Sequence, residues 1–393
     1  MPRLSDTHAA FSDDTPFRSE VLSAERLAQE AESIAGRQLS TTTGHPRSTP
    51  LLPLAKRAAA SLLADNRELS AAVRERRATP PAAEWLLDNY YLIEEQLRLV
   101  AADLPSDFGR ELPRIVAGDF ADHPRIYEAF LPLIAHTDAR LDETYLLRFV
   151  DGFQQSSALS IGETWAVPIM LRLALVENLR RLSTAVVASM RSEQAATEWA
   201  NRLVVASEND PVGIATLLRE VESGPHGRSA RFLVRLMQRL GDLDSSVEQV
   251  NAWIEQRIVA EGIDLERSAA ESQQEQASNQ VSIANSITSI RFLDALDWRA
   301  FFSRVNVVES ILAKDPAQTY AVMDFGSQDR YRHALELIAR RSPIAGWPPR
   351  FYFRSATMLV DPTSVLAPDI YRFLATISHI ENPQRLLKRR PFW

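Results

Sequence analysis

Apolar residues recur at intervals of three and four positions along most of the chain, from about Leu51 to Arg341. This spacing places them on one side of an α-helix, and the strict alternation that marks a half-buried β-strand is nearly absent. No stretch repeats at a fixed period, so a regular solenoid is not indicated. The pattern predicts an all-α protein, a multi-helix bundle or array of ten or more helices.

Composition divides the chain into three segments. Residues 1–48 are rich in Ser, Thr, Asp and Pro and contain one short helical pattern, from Ser23 to Ala35. We expect a mostly disordered arm there. Residues 49–342 carry the helical pattern, and residues 343–393 hold seven of the 22 prolines. Because proline interrupts helices, this last segment is predicted to be a weakly ordered tail.

Charge and composition narrow the classes of function. The formal net charge of −7 argues against nucleic-acid binding, because such proteins concentrate Lys and Arg to neutralise phosphates. The absence of cysteine excludes disulfides, thiolate nucleophiles and sulfur-based zinc sites. Neither a signal-peptide core nor a run of about 18 apolar residues is present. We therefore expect a cytoplasmic, soluble polypeptide with no transmembrane helix.

Sequence motifs of common catalytic sites are missing. There is no GxSxG, HExxH, P-loop or GxGxxG. We therefore assign no catalytic residue, no cofactor and no metal to this chain.

The most apolar helical stretch, residues 160–182, is predicted to be a central, buried helix. It nevertheless contains several polar residues. Ser160 and Glu163 match a capping box, in which a side chain at each position bonds the backbone N–H of the other. Glu177 and Arg181 are four residues apart and are predicted to pair, whereas Arg172 needs an acidic partner from elsewhere. The complete candidate polar network, drawn from several helices, is Asn89, Gln96, His136, Asp138, Glu163, Arg172, Glu177, Asn178 and Arg181.

A first interpretation is that these polar residues connect the helices of a buried core. A helix predicted from Trp85 to Val100 places Asn89 and Gln96 on its apolar face. A buried amide without a partner costs about 1–3 kcal/mol, so both are expected to bond a neighbouring helix. His136 and Asp138 are predicted to form a hydrogen-bond cluster at the end of a helix.

Two further interpretations make these residues a site. A glucan-acting glycosidase or transferase would use Glu163, Glu177 and Asp138 as its carboxylates. A carbohydrate-binding module would instead use the aromatic residues Trp85, Tyr90, Tyr91 and Trp165 as stacking surfaces. A site requires such groups in an open cleft, whereas a scaffold buries them.

Six stretches carry a resemblance to a known family. They are DNYYLIEEQLRLVAADLP (88–105), RELPRIVAGDFADHPRIY (110–127), AHTDARLDETYLLRFVDGFQ (135–154), SIGETWAVPIMLRLALVENLRRL (160–182), NQVSIANSITSIRFLDALDWRAFF (279–302) and DPAQTYAVMDFGSQDRYRHALELIARRS (315–342). In these stretches the chain resembles the N-terminal region of bacterial cyclic β-1,2-glucan synthases, over about residues 50–342.

The resemblance implies a role in making cyclic glucans for the periplasm. Members of the family are large inner-membrane proteins in which this helical region precedes transmembrane helices, a family 84 glycosyltransferase that uses UDP-glucose, a cyclising domain and a phosphorylase-like domain. The implied partners are the remainder of a synthase or a second copy of this chain, with β-1,2-glucan as a candidate ligand. The implied location is the cytoplasmic face of the inner membrane.

The chain also departs from the family. The glycosyltransferase signature of spaced aspartates with QxxRW is absent, and the family pattern stops at Ser342. Either the chain is a stand-alone or truncated relative, or its tail comes from a shifted reading frame. We therefore expect a non-catalytic helical accessory region rather than the transferase itself.

Overall fold

The computed structural model describes residues 14–38, 41–42, 51–103, 112–209, 213–224, 229–242, 248–306, 309, 312 and 320–332. Twelve α-helices lie wholly within these residues, and we number them α1 Ala24–Arg37, α2 Leu51–Arg74, α3 Pro81–Asp88, α4 Tyr90–Asp103, α5 Arg125–His136, α6 Glu143–Ser156, α7 Ile161–Asn209, α8 Ile214–Ser223, α9 Ala230–Asp242, α10 Glu248–Ala260, α11 Leu265–Ala295 and α12 Trp298–Val305. The all-α prediction is confirmed. The predicted tail, residues 343–393, lies outside the described residues.

Three further short segments lie outside these helices, and residues 325–332 are also helical. Strands β1, Thr41–Thr42, and β2, Arg114–Ile115, pair in antiparallel fashion. A 3₁₀ turn covers Tyr320–Val322.

Helix α7 is the central helix of the described structure. Its 49 residues continue through Pro168 and span roughly 74 Å at 1.5 Å per residue. The first part is buried on nearly every side within a core formed with α1–α6, α11 and α12, as predicted for the stretch 160–182. The last part packs in a second core with α8, α9 and α10. Within the described part of the chain, no helix is both long enough and apolar enough to cross a membrane.

The N-terminal residues 14–38 pack onto the first core, which differs from the disordered arm that composition predicts for residues 1–48. Phe17 and Leu22 are buried, and α1 lays its apolar face against α6. Ser19 and Leu22 donate backbone hydrogen bonds to the carbonyls at the end of α5. The average composition of the segment is polar, but a few correctly spaced apolar residues are sufficient to anchor it.

The helix predicted from Trp85 to Val100 is two helices, so that prediction is wrong. Helix α3 ends at Asp88 and α4 begins at Tyr90. The side-chain amide of Asn89 donates to the carbonyl oxygen of Trp85 at 2.9 Å. Asparagine competes in this way with the helical backbone and favours helix ends.

Gly152 permits the close approach of α1 and α6. A Cβ atom added at this position would overlap the backbone carbonyl of Ala28. Because backbone cannot move aside as a flexible side chain does, only glycine fits at this contact.

We predict that Gly152→Ala lowers the free energy of unfolding by about 1–3 kcal/mol or more, because it forces two packed helices apart. The matched control is Gly162→Ala in α7, where the nearest atom to an added Cβ is Leu112 Cδ2 at an ordinary 3.7 Å. This control should change stability by less than about 1 kcal/mol. Urea unfolding followed by circular dichroism measures both, and equal losses would contradict the close packing.

Candidate functional site

The carboxylate of Glu177 lies at the centre of the polar residues of α7. It is 1% exposed and is paired with arginines from two helices. Arg180 donates to both of its oxygens, at 3.0 and 2.8 Å. Arg181 donates to Oε1 at 3.0 Å, as predicted from the four-residue spacing, and Arg57 of α2 approaches Oε1 at 3.4 Å. A buried carboxylate thus joins α2 to α7.

Residues 14–22, which we call the N-terminal strap, are attached to these same polar groups. Asp14 accepts a hydrogen bond from Arg180 at 2.6 Å. This bond lowers the pKa of the Asp14 carboxyl below its usual value, so the group is ionised at neutral pH. The backbone N–H of Phe17 donates to Asn178 Oδ1 at 2.8 Å. Asn178 therefore fixes the strap to α7.

Arg181 connects the strap to the Glu177 carboxylate. Its Nη1 donates to the carbonyl oxygen of Thr15 at 2.9 Å, and its guanidinium lies 4.2 Å from the centroid of the Phe17 ring. Such a cation–π contact contributes about 0.5–2 kcal/mol, more where it is buried. One side chain therefore holds both the backbone and the aromatic anchor of the strap.

His136 secures the far end of the strap. Its Nδ1 lies 2.7 Å from the carbonyl oxygen of Glu20, so this nitrogen carries the proton and donates. Arg18 of the strap donates to Asn279 Oδ1 at 2.7 Å on α11. The hydrogen-bond cluster predicted at the end of α5 therefore serves to hold another segment of the chain.

Asp138 lies in the turn after α5 and faces α11. Its carboxylate accepts from the hydroxyl of Ser282, and its carbonyl oxygen accepts from Asn285 at 3.0 Å. Ser289 donates to the carbonyl oxygen of Ala139 at 2.6 Å. Asp138 and Ala139 both have positive φ, +48° and +58°, a conformation that needs support from its surroundings. The small hydroxyl residues of α11 provide it.

Glu163 has two partners at the start of α7. Its Oε2 accepts the backbone N–H of Ser160 at 2.9 Å, and Ser160 Oγ accepts that of Glu163 at 3.2 Å, which confirms the capping box. Arg125 of α5 forms a bidentate pair with the same carboxylate, at 2.6 and 2.9 Å. Burial disfavours the charge on Arg125, but Glu163 outweighs burial and raises the pKa of the guanidinium.

The remaining candidates form a third cluster, between α3, α4, α7 and α11. Arg172 donates to Gln96 Oε1 at 2.9 Å and to Asp294 at 3.0 Å, and Gln96 donates to Asp294 at 3.2 Å. Asn89 accepts from Arg291 at 2.7 Å. The acid that Arg172 required is therefore Asp294, and both amides bond a neighbouring helix as predicted.

Two of the carboxylates that the glycosidase interpretation requires lie far apart in the structure. Glu163 and Glu177 are fourteen residues apart on α7, which places them roughly 21 Å apart along the helix axis. Paired glycosidase carboxylates lie about 5–10 Å from each other. These two residues therefore cannot work as one acid/base pair.

The aromatic residues proposed as stacking surfaces are also dispersed. Trp165 packs against Phe302, with ring centroids 4.2 Å apart, in an aromatic cluster between α7 and α12. Trp85 and Tyr91 are instead exposed, on α3 and α4. Trp165 therefore packs between helices, whereas Trp85 and Tyr91 face solvent.

An open cleft of about 380 Å³ lies beside Glu177, and we call it the Glu177 cleft. Its floor consists of buried side chains, namely Phe17, Tyr127, Leu131, Glu177 and Arg181. Its rim comes from α2 and from the loop before α5, namely Pro53, Leu54, Arg57, Asp119, Phe120 and His123. The cleft therefore combines buried charge with aromatic and aliphatic walls.

Three rings line one side of this cleft. His123 stacks on Tyr127 with centroids 5.9 Å apart, and Phe120 meets His123 edge-on at 5.6 Å. Burial lowers the pKa of His123 below 6.5, so its ring is neutral at pH 7. Burial, with a contribution from the Glu177 charge, raises the pKa of Tyr127, which stays protonated.

Sequence reasoning missed three of the arginines that neutralise these carboxylates. Arg180 follows Glu177 by three residues, a spacing that also allows pairing and that was a usable signal. Arg57 and Arg125 belong to α2 and α5, and no periodicity in the sequence indicates that they approach α7.

Comparison with known proteins gives one informative match. No protein-family model matches the chain. This helical chain, whose helices are joined by internal ion pairs, is related to a bacterial glucan synthase. That relative is the cyclic beta-(1,2)-glucan synthase NdvB of Rhizobium meliloti (strain 1021), which is 37% identical over 277 residues.

The relationship is partial. The match covers 70% of this chain but 10% of the relative, so the chain spans about a tenth of the length of the synthase. The resemblance predicted from the sequence is confirmed to this extent.

We predict that Glu177→Gln lowers the free energy of unfolding by about 3–5 kcal/mol, because Arg180 and Arg181 lose their common buried counter-ion. Arg181→Ala should cost less, about 1–3 kcal/mol, because Arg180 still neutralises Glu177. The control Glu271→Gln breaks an exposed pair with Arg267 and should leave the unfolding transition close to that of wild type. Chemical denaturation measures all three, and a Glu177→Gln loss no larger than that of the control would contradict the structural role.

We also predict a pH dependence of stability that arises from His123. Its folded-state pKa is below the ordinary 6.5, so the unfolded chain binds the proton more readily. The part of the unfolding free energy that depends on a neutral His123 ring is complete above pH 6.5. It is lost as the pH falls through that value towards the folded-state pKa. Urea unfolding of wild type and His123→Gln between pH 8 and pH 5 tests this. On acidification, the unfolding free energy of wild type should fall relative to that of the variant. A difference between the two that does not change with pH would contradict the prediction.

Proposed function

We propose that this chain acts in cyclic β-1,2-glucan synthesis as a non-catalytic helical accessory region. It packs against the remaining part of a glucan synthase, on the cytoplasmic side of the inner membrane. The partial relationship to the synthase NdvB supports a role in cyclic β-glucan synthesis. The accessory role rests on the contacts of the chain's own polar residues.

The observation that carries this proposal is the set of contacts made by the three candidate carboxylates. Glu163 is held by Arg125 and its own helix cap, and Glu177 is held by arginines. Asp138 is bonded to α11. A general acid or base must exchange its proton with a substrate, whereas these groups hold helices together.

The shape of the fold supports the same role. Helix α7 passes through both hydrophobic cores, so the two are joined by one continuous helix. Ion pairs at Glu163, Arg172 and Glu177 connect α7 to α5, α11 and α2 respectively. An element of this kind can hold a partner in a constant position.

We assign the contact with the synthase to helices α3 and α4. Three large apolar residues there are exposed to solvent, namely Trp85, Tyr91 and Leu99. Aromatic side chains are enriched at the centre of protein interfaces, where they bury much area at low entropic cost.

A complementation experiment tests the accessory role. The residues of the NdvB synthase that match this chain are deleted, and this chain is supplied separately with an affinity tag. We expect the truncated synthase to co-purify with the chain and cyclic glucan output to recover, while the chain alone transfers no glucose from UDP-glucose. Glucosyl transfer by the isolated chain, or recovery without co-purification, would refute the proposal.

Two matched variants test the assigned surface. Tyr91 and Val259 are both exposed on helices, 61% and 80% respectively, so aspartate at either position should leave the fold intact. Tyr91→Asp should reduce co-purification by at least about tenfold, and Val259→Asp should leave it unchanged. Equal effects of the two variants would show that α3 and α4 do not form the contact surface.

A further inference from the structure

We propose that the Glu177 cleft is a binding site for a neutral oligosaccharide, a short run of β-linked glucose units. Its shape and charge indicate a neutral polyhydroxylated ligand. The choice of glucose rests on the proposed function.

The charges that line the cleft cancel. Arg57 and Arg181 contribute two positive charges, and Asp119 and Glu177 contribute two negative ones. His123 adds none at pH 7, since its pKa is lowered by burial. A nucleotide sugar carries a diphosphate, and diphosphate sites need an excess of cationic or N–H donor groups. The balance of charge therefore favours an uncharged ligand.

The polar groups of the cleft offer both donors and acceptors at its mouth. The Arg57 side chain is 60% exposed and touches Glu177 only at 3.4 Å, so most of its five N–H donors face away from that pair. Asp119, in the loop before α5, is exposed and supplies acceptor oxygens. Sugar hydroxyls both donate and accept, so a cleft lined by both donors and acceptors suits them.

The walls supply the apolar surface that a sugar ring needs. Phe120 and His123 are partly buried, so each keeps part of its ring accessible on the rim. Leu54 and Pro53 of α2 also line the cleft. Pyranose rings present C–H groups on their faces, which pack against apolar side chains. The volume of about 380 Å³ lies within the range of small-molecule sites, about 300–1,000 Å³.

The floor of the cleft is already rigid. Glu177 is clamped by Arg180 and Arg181, and the guanidinium of Arg181 covers the Phe17 ring. A site whose side chains are fixed before binding loses less conformational entropy when the ligand arrives. The buried ion pairs thus have a second effect, since they shape a pre-formed floor under the exposed rim.

Titration calorimetry on the full chain tests the site directly. The two probes are a linear β-1,2-linked glucose tetrasaccharide and UDP-glucose. We expect saturable binding of the tetrasaccharide and at least about tenfold weaker binding of UDP-glucose. No saturable heat with the tetrasaccharide, or tighter binding of UDP-glucose, would overturn the proposal.

Rim variants locate the site, and melting curves recorded for each variant separate lost binding from lost stability. Arg57→Ala removes a donor at the rim, and the matched control Arg191→Ala removes a side chain that is 61% exposed and paired with Glu68. The tetrasaccharide Kd should rise at least about tenfold for Arg57→Ala and stay within about twofold for the control. Phe120→Ala should weaken binding as well. Wild-type affinity in both rim variants, with unchanged melting curves, would refute the location.

The two proposals fail in distinguishable ways. Lost oligosaccharide binding with intact co-purification would remove the cleft site and leave the accessory role. Retained binding with no co-purification would remove the accessory role and leave a carbohydrate-binding domain.

Discussion

The fold depends on neutralising a carboxylate that lies inside the helical core. Glu177 is almost fully buried on the helix that runs through the whole molecule, and an unpaired charge in that position costs several kcal/mol. The arginines that neutralise Glu177 also bind the N-terminal strap. Arg180 donates to the Asp14 carboxylate, and Arg181 donates to the carbonyl oxygen of Thr15. One buried charge thereby determines where α2 and the N-terminal strap must lie.

The same constraint recurs along the central helix. Glu163 takes its counter-ion from α5, and Arg172 takes Asp294 from α11. Each pair is formed between helices far apart in sequence, so each specifies one arrangement of neighbours among the many that apolar packing alone would allow. Since only a complete set of partners satisfies all of these groups, the bundle is defined by polar contacts as much as by its hydrophobic surfaces.

The position of this network bears on the proposed functions. Groups committed to holding helices together cannot take part in proton transfer, which supports an accessory role for the chain in glucan synthesis. At the Glu177 cleft, however, the network reaches the surface, where Arg57 and Phe120 lie over a floor of paired charges. The proposed accessory role and the proposed binding site are therefore compatible, since both rest on the same ion pairs.

The sequence by itself determined the helical class, the central position of residues 160–182, the capping box at Ser160 and the pairing of Glu177 with Arg181. These follow from local spacing, because residues three and four apart share one face of a helix. Only the tertiary structure decided that Arg57, Arg125 and Asp294 complete the ion pairs and that Phe17 anchors the N-terminal residues. Periodicity shows which face of a helix is buried, but the partner on that face comes from a distant part of the chain, and no local pattern encodes its approach.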